Sequence, residues 1–172
     1  EDGYVSLEVN PHLAHDTNGT MQEARRLWGA LDRPNVFIKV PATAEGLPAL
    51  RDLISEGINV NVTLLFGLPR YRQVAEGYIA GIEARSSQGQ AVKHVASVAS
   101  FFVSRIDVLV DPLLEKLIAR RGEDAELAKE LHGQVAIASA KVAYQIYKEM
   151  FGGDRFGKLA DKGASTQRLL WA

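Results

Sequence analysis

The sequence predicts an α/β fold, and more narrowly part of a (β/α)8 TIM barrel. Two observations on the residues lead there, and a third sets the extent. Short apolar segments alternate with amphipathic stretches of ten or more residues. That rhythm implies parallel strands joined by right-handed crossovers. The strands also carry polar residues on one face, whereas a parallel sheet covered on both faces reads as nearly continuous apolar runs. A barrel accounts for this: its apolar face packs on outer helices, and its polar face lines the interior near the C-terminal mouth, where barrel active sites lie. An exposed antiparallel face would give a similar pattern, but the helical connections argue against it. Finally, the chain has 172 residues, and a complete barrel needs about 250, or about 200 at the least.

The elements follow in order. Tyr4–Val9 alternates as a strand. In Met21–Leu31 the spacing of Met21, Ala24, Leu27, Trp28 and Leu31 predicts a helix. Val36–Val40 is a second strand. Gly46–Glu56 places Leu47, Leu50, Leu53 and Ile54 on one helical face, and Gly57 suits the position just past its end. Ile58–Leu65 is a third strand. Pro69 stands where the first helical residue is expected, opening a helix over Arg70–Ala84. Ser86-Ser87-Gln88-Gly89 reads as a loop, Val95–Val103 as a fourth strand and Ile106–Ala119 as a helix. Asp124–Phe151 reads as one long helix closed by Gly152-Gly153, with Gly152-Gly153-Asp154 a turn. Leu169–Trp171 begins a fifth strand, with Arg168 before it.

Composition narrows the function. The chain is 47% hydrophobic and 24% charged with a formal net charge of −1, which is ordinary for a globular protein. Near-neutral charge argues against bulk electrostatic capture of nucleic acid or an anionic membrane. With no cysteine, disulfides, thiolate metal sites and cysteine nucleophiles are excluded. No apolar run approaches the roughly 20 residues that span a bilayer, and no signal peptide is visible; a cytoplasmic location is expected. His12 and His15 with Asp16 are too few ligands for a metal centre, and no glycine-rich phosphate loop is present. The Glu1-Asp2-Gly3 start and the Leu169-Leu170-Trp171-Ala172 end do not look like natural termini, and the strand count makes residues 1–172 the expected middle segment of one larger barrel domain.

Strand parity selects the candidate site. In Ile58–Leu64 the odd positions are Asn59, Asn61 and Thr63 and the even ones are apolar. Ser6, Glu8 and Asn10 share one face of the first strand. Lys39 shares a face with Phe37, opposite Ile38 and Val40, and Ser100 shares one with Val98 and Phe102. Lys39 is the most informative. Taking an amine out of water favours its neutral form, and a neutral amine attacks a carbonyl to form a Schiff base. The patterning is equally compatible with a structural lysine paired with Glu8 or reaching solvent. Glu8 suits the proton transfers that such chemistry needs, or a salt bridge to Lys39. Asn61, Thr63 and Ser100 suit hydrogen bonds to substrate hydroxyls, or a satisfied polar network in the interior. Arg105, just past the fourth strand, suits a phosphate group, or a surface ion pair with Asp107 or Asp111.

Four segments in series then resemble the transaldolases: Val5-Ser6-Leu7-Glu8-Val9, Phe37-Ile38-Lys39-Val40-Pro41-Ala42-Thr43, Glu56–Phe66 and Ser100-Phe101-Phe102-Val103-Ser104-Arg105-Ile106-Asp107. The resemblance implies a class I aldolase scaffold, of which this chain covers about strands 3 to 6 and the start of strand 7. It implies transfer of a dihydroxyacetone unit from sedoheptulose 7-phosphate to glyceraldehyde 3-phosphate, giving erythrose 4-phosphate and fructose 6-phosphate, in the pentose phosphate pathway. By the same resemblance Lys39 is the Schiff-base lysine, and Glu8 works through a water in carbinolamine chemistry. Asn61 and Thr63 hold substrate and water, Ser100 contacts the dihydroxyacetone moiety, and Arg105 binds phosphate. No metal or other cofactor is implied; the partners are sugar phosphates. The family's strand-1 aspartate, strand-2 asparagine and strand-7 phosphate ligands have no counterpart here, so the isolated segment is expected to be inactive. Another Schiff-base aldolase, such as a fructose-6-phosphate aldolase, and a non-catalytic sugar-phosphate-binding fragment are the alternatives.

Overall fold

A computed structural model describes residues 3–172. Glu1 and Asp2, within the Glu1-Asp2-Gly3 start noted above, lie outside the described residues. The strands are β1 (Val5–Glu8), β2 (Val36–Pro41), β3 (Val60–Leu65), β4 (Ser97–Phe101) and β5 (Arg168–Trp171). They form one parallel sheet in the order β1-β2-β3-β4-β5. The first three crossovers each carry a long helix: α1 (Thr17–Leu31), α2 (Gly46–Glu56) and α3 (Leu68–Ser87). Between β4 and β5 lie α4 (Ser104–Arg120), α5 (Ala125–Leu131), α6 (Val135–Gly152) and α7 (Asp154–Ala160). This is the predicted α/β architecture, and the sheet is that of a partial barrel: β1 and β5 are unjoined edges.

The core lies between the helices and one face of the sheet. Ile38, Val40, Val60, Val62, Leu65, Ala99 and Phe101 pack there with Leu50, Leu53 and Ile54 of α2 and Val74, Tyr78 and Ile82 of α3. Each large aliphatic side chain so buried contributes about 1.5–3 kcal/mol. Gly81 sets the closeness of α2 and α3. A Cβ there would lie 2.7 Å from the Arg51 carbonyl oxygen and 2.8 Å from Ile54 Cβ. Gly57 ends α2 at φ 89°, a left-handed conformation that glycine adopts freely.

Several boundaries differ from the sequence reading, each for a local reason. α1 begins at Thr17 because Asp16 caps it, accepting a hydrogen bond from the Gly19 amide at 2.9 Å. α3 begins at Leu68, which makes Pro69 its second residue, and it runs on through Ser86 and Ser87, where a loop was expected. The expected single helix over Asp124–Phe151 is two, α5 and α6. Gly133 breaks it at φ 70°, and its amide donates to Asp111 Oδ1 at 3.0 Å. Asp154 opens α7 rather than completing a turn; Phe156 and Leu159 of α7 are buried. Arg168 is the first residue of β5, beside Val98 of β4. Asn59 lies before β3 rather than among the mouth residues. Its Nδ2 donates to the Pro34 and Val36 carbonyls at 3.0 and 3.2 Å, and its Oδ1 accepts from the Ala96 amide at 2.8 Å. It clamps the sheet from below, satisfying backbone groups of the chain entering β2 and β4.

Candidate active site

The register places the polar side chains side by side. Glu8 of β1 pairs with Lys39 of β2, and Lys39 pairs with Asn61 of β3. Since parallel neighbours project to the same side, Glu8, Lys39 and Asn61 form a row, and Ser100 and Thr63 stand one step nearer the mouth. Lys39 Nζ lies 3.9 Å from Glu8 Oε2, within ion-pair range and beyond a hydrogen bond. The Lys39 side chain is 29% exposed, so it is half-buried on the polar face rather than sealed in the core. Below it, Tyr4 stacks on Phe37 with ring centroids 4.4 Å apart.

Asn61 and Ser100 are buried and joined. Ser100 Oγ donates to Asn61 Oδ1 at 2.7 Å, and Asn61 Nδ2 donates to Ser6 Oγ at 3.0 Å. The second bond links β3 to β1 across β2. Strands two apart in a flat sheet are about 10 Å apart, so a bond between two such short side chains reflects the inward curl of the sheet. Thr63 is also buried, and its Oγ1 has no hydrogen-bond partner. A buried hydroxyl left unpaired costs about 1–3 kcal/mol, so the Thr63 hydroxyl beside Asn61 and Ser100 is suited to bond a molecule in the site. Hence Asn61 and Ser100 hold each other in an internal network that leaves the second Asn61 Nδ2 hydrogen and the Ser100 Oγ lone pairs unused, while Lys39, Glu8 and Thr63 also retain bonding capacity.

Arg105 is the second residue of α4 and is exposed. It does not pair with Asp107 or Asp111. Asp107 Oδ1 accepts from the Ala136 amide at 3.2 Å and Asp111 Oδ1 from the Gly133 amide at 3.0 Å. Its guanidinium instead lies 4.9 Å from the centroid of the Phe102 ring, and Phe102 stacks on Phe66 at 5.0 Å. This leaves a cation at the rim, on the mouth side of Ser100, available to an anion.

Sequence reasoning missed Ser6 as a member of the network, although it alternates with Glu8 on one face. It also missed a bulge. Val62 pairs with Ala99 and Leu65 with Phe101, so Thr63 and Leu64 together face Ser100. Leu64 has φ 55° and is exposed, against the expectation that it shares the apolar face of Val60 and Val62. The Leu64-Leu65 doublet, which breaks the alternation, was the available signal. No group of three possible metal ligands occurs among the described residues, and His15 Nδ1 lies 3.2 Å from Glu45 Oε2.

Residues 1–170 match the model of a protein family described as Transaldolase/Fructose-6-phosphate aldolase. The chain is 51% identical over 171 residues to the transaldolase of Saccharopolyspora erythraea, covering 99% of this chain and 44% of that protein. It is 51% identical to transaldolase 2 of a Nostoc species, covering 99% and 46%, and 50% identical to the transaldolase of Mycolicibacterium smegmatis, covering 99% and 44%. The chain therefore spans less than half the length of these curated relatives.

Proposed function

The chain belongs to the transaldolase/fructose-6-phosphate aldolase family, and from that premise we propose that it is the central segment of a transaldolase barrel. The reaction is transfer of a dihydroxyacetone unit from sedoheptulose 7-phosphate to glyceraldehyde 3-phosphate. It yields erythrose 4-phosphate and fructose 6-phosphate and belongs to the pentose phosphate pathway in the cytoplasm. The observation that carries this reading is the row of Glu8, Lys39 and Asn61, with Nζ 3.9 Å from Oε2 and the unpaired Thr63 hydroxyl beside it.

Lys39, once it has given up a proton, attacks the ketose carbonyl carbon, and the proton its nitrogen sheds on bond formation passes to the carbonyl oxygen to give a carbinolamine. Glu8, directly or through a water, supplies the proton with which that hydroxyl leaves as water. The resulting protonated Schiff base withdraws electrons, so the C3–C4 bond breaks, its electron pair passes into an enamine, and the aldose departs. The base for the C4 hydroxyl lies outside this segment. The enamine then adds to the acceptor aldehyde and the steps reverse. Ser100 and Asn61 hold the dihydroxyacetone hydroxyls, Thr63 holds the water, and Arg105 holds the phosphate by charge-assisted hydrogen bonds.

Borohydride reduction of the full-length enzyme with fructose 6-phosphate should trap an adduct on Lys39, and Lys39→Ala should abolish it. No adduct, or one that survives the substitution, sinks the reading. The family description also names fructose-6-phosphate aldolases, which supports a second reading. Release of free dihydroxyacetone without need of an aldose phosphate acceptor would select it.

A further inference from the structure

We infer that Leu64 is a positioning residue for the Arg105 guanidinium, acting through the Phe66–Phe102 stack. This rests on the reading of Arg105 as a phosphate ligand.

The bulge decides which face Phe66 occupies. Asn61 and Thr63 project to the polar face, so unbroken alternation would send Leu65 to that face and Phe66 to the helices. One extra residue reverses this. Leu65 is instead fully buried in the core, and its carbonyl accepts from the Phe102 amide at 2.8 Å. Phe66 is thereby returned to the side of Phe102 and stacks on it at 5.0 Å. Phe102 in turn carries the Arg105 guanidinium 4.9 Å from its ring centroid.

The extra residue is a leucine at φ 55°, a conformation that costs a branched L-residue and persists only where its surroundings enforce it. Here they do so from both sides: Val62 and Leu65 are fixed in the core and paired to β4. Among the described residues, the Phe102 ring is the group set against the Arg105 guanidinium. The two nearby carboxylates accept backbone amides instead, and among the described residues the guanidinium forms no ion pair. An arginine on a long flexible stem binds an anion better when its fork is already aimed.

The test is inhibition of the full-length enzyme by inorganic phosphate, with kcat and KM for fructose 6-phosphate. Arg105→Ala should weaken phosphate inhibition most. Phe66→Leu, which removes the stack from an exposed position, and Leu64→Val, whose β-branch opposes a positive φ, should each weaken it on the order of three- to tenfold. KM should rise by a similar factor with kcat little changed. Leu64→Gly should restore binding, since glycine takes the left-handed conformation freely. Wild-type phosphate inhibition in Phe66→Leu and Leu64→Val, alongside its loss in Arg105→Ala, overturns the inference and leaves the phosphate reading intact. A Leu64→Gly variant as impaired as Leu64→Val, or a loss confined to kcat, also overturns it. Unchanged inhibition in Arg105→Ala removes the phosphate reading and this inference together.

Discussion

Lys39 and Tyr71 both carry a polar group on a largely covered side chain, and their surroundings treat them differently. Lys39 has Glu8 beside it and opens onto the polar face. Tyr71 is fully buried, packs edge-on against Phe101 at 6.3 Å and leaves its hydroxyl without a partner. Tyr78, equally buried, donates to the Ser165 carbonyl at 2.6 Å. Burial pushes both phenols far above their ordinary value of 10.0. Below pH 10 both states of the protein hold these protons, so the groups make stability independent of pH there. Above it the unfolded phenols ionise while the folded ones do not, and stability falls as pH rises. Tyr71→Phe should therefore flatten alkaline unfolding and stabilise the protein by about 1 kcal/mol, by removing an unpaired buried hydroxyl. Tyr78→Phe should flatten it too but lower stability near neutral pH. Denaturant melts at pH 7 and pH 11 check both. At this scale the strands were legible, because Asn61, Lys39 and Ser100 declare a face by parity alone. Phe66 was not, because its face depends on a backbone angle two residues earlier.

Elements were legible where periodicity was uninterrupted and blurred where a single backbone group decided the boundary. α2 could be read at both ends from its apolar stripe and from Gly57. The break between α5 and α6 could not, since the pattern of Asp124–Phe151 stays helical through it. What ends α5 is Gly133 at φ 70° with a carboxylate from α4 on its amide, a contact from a distant part of the sequence. α7 was hidden for the same reason: its buried Phe156 and Leu159 gain their meaning from α6 and α3. Packing between elements gives a prediction here. Gly81→Ala adds a methyl where α2 leaves no room. Alanine's better helix propensity offsets about 1 kcal/mol, against an overpacking cost of about 1–3 kcal/mol. The net effect should be destabilising, seen as a lower thermal midpoint, and Gly77→Ala, whose nearest contact is 3.5 Å away, should be neutral or better.

Over the whole molecule, the polar face and the open edges belong together. Val5 is 67% and Trp171 45% exposed on the two edge strands, and an unpaired strand edge recruits other chains. The 172 residues alone should show no turnover and should associate at micromolar concentration; measured transaldolase activity from this segment, or a monodisperse monomer by sedimentation, would contradict this. The strand order also bears on how such a chain is made. Every strand pairs only with its predecessor and successor along the chain, so each new strand–helix unit leaving the ribosome finds its partner already synthesised. At about 5–20 residues per second, Lys39 has Glu8 beside it within seconds, long before the last strand exists. In the complete barrel proposed above, joining the first strand to the last would be the one pairing that waits for the end of translation, so ring closure, rather than assembly of the lysine site, would set when the proposed activity appears.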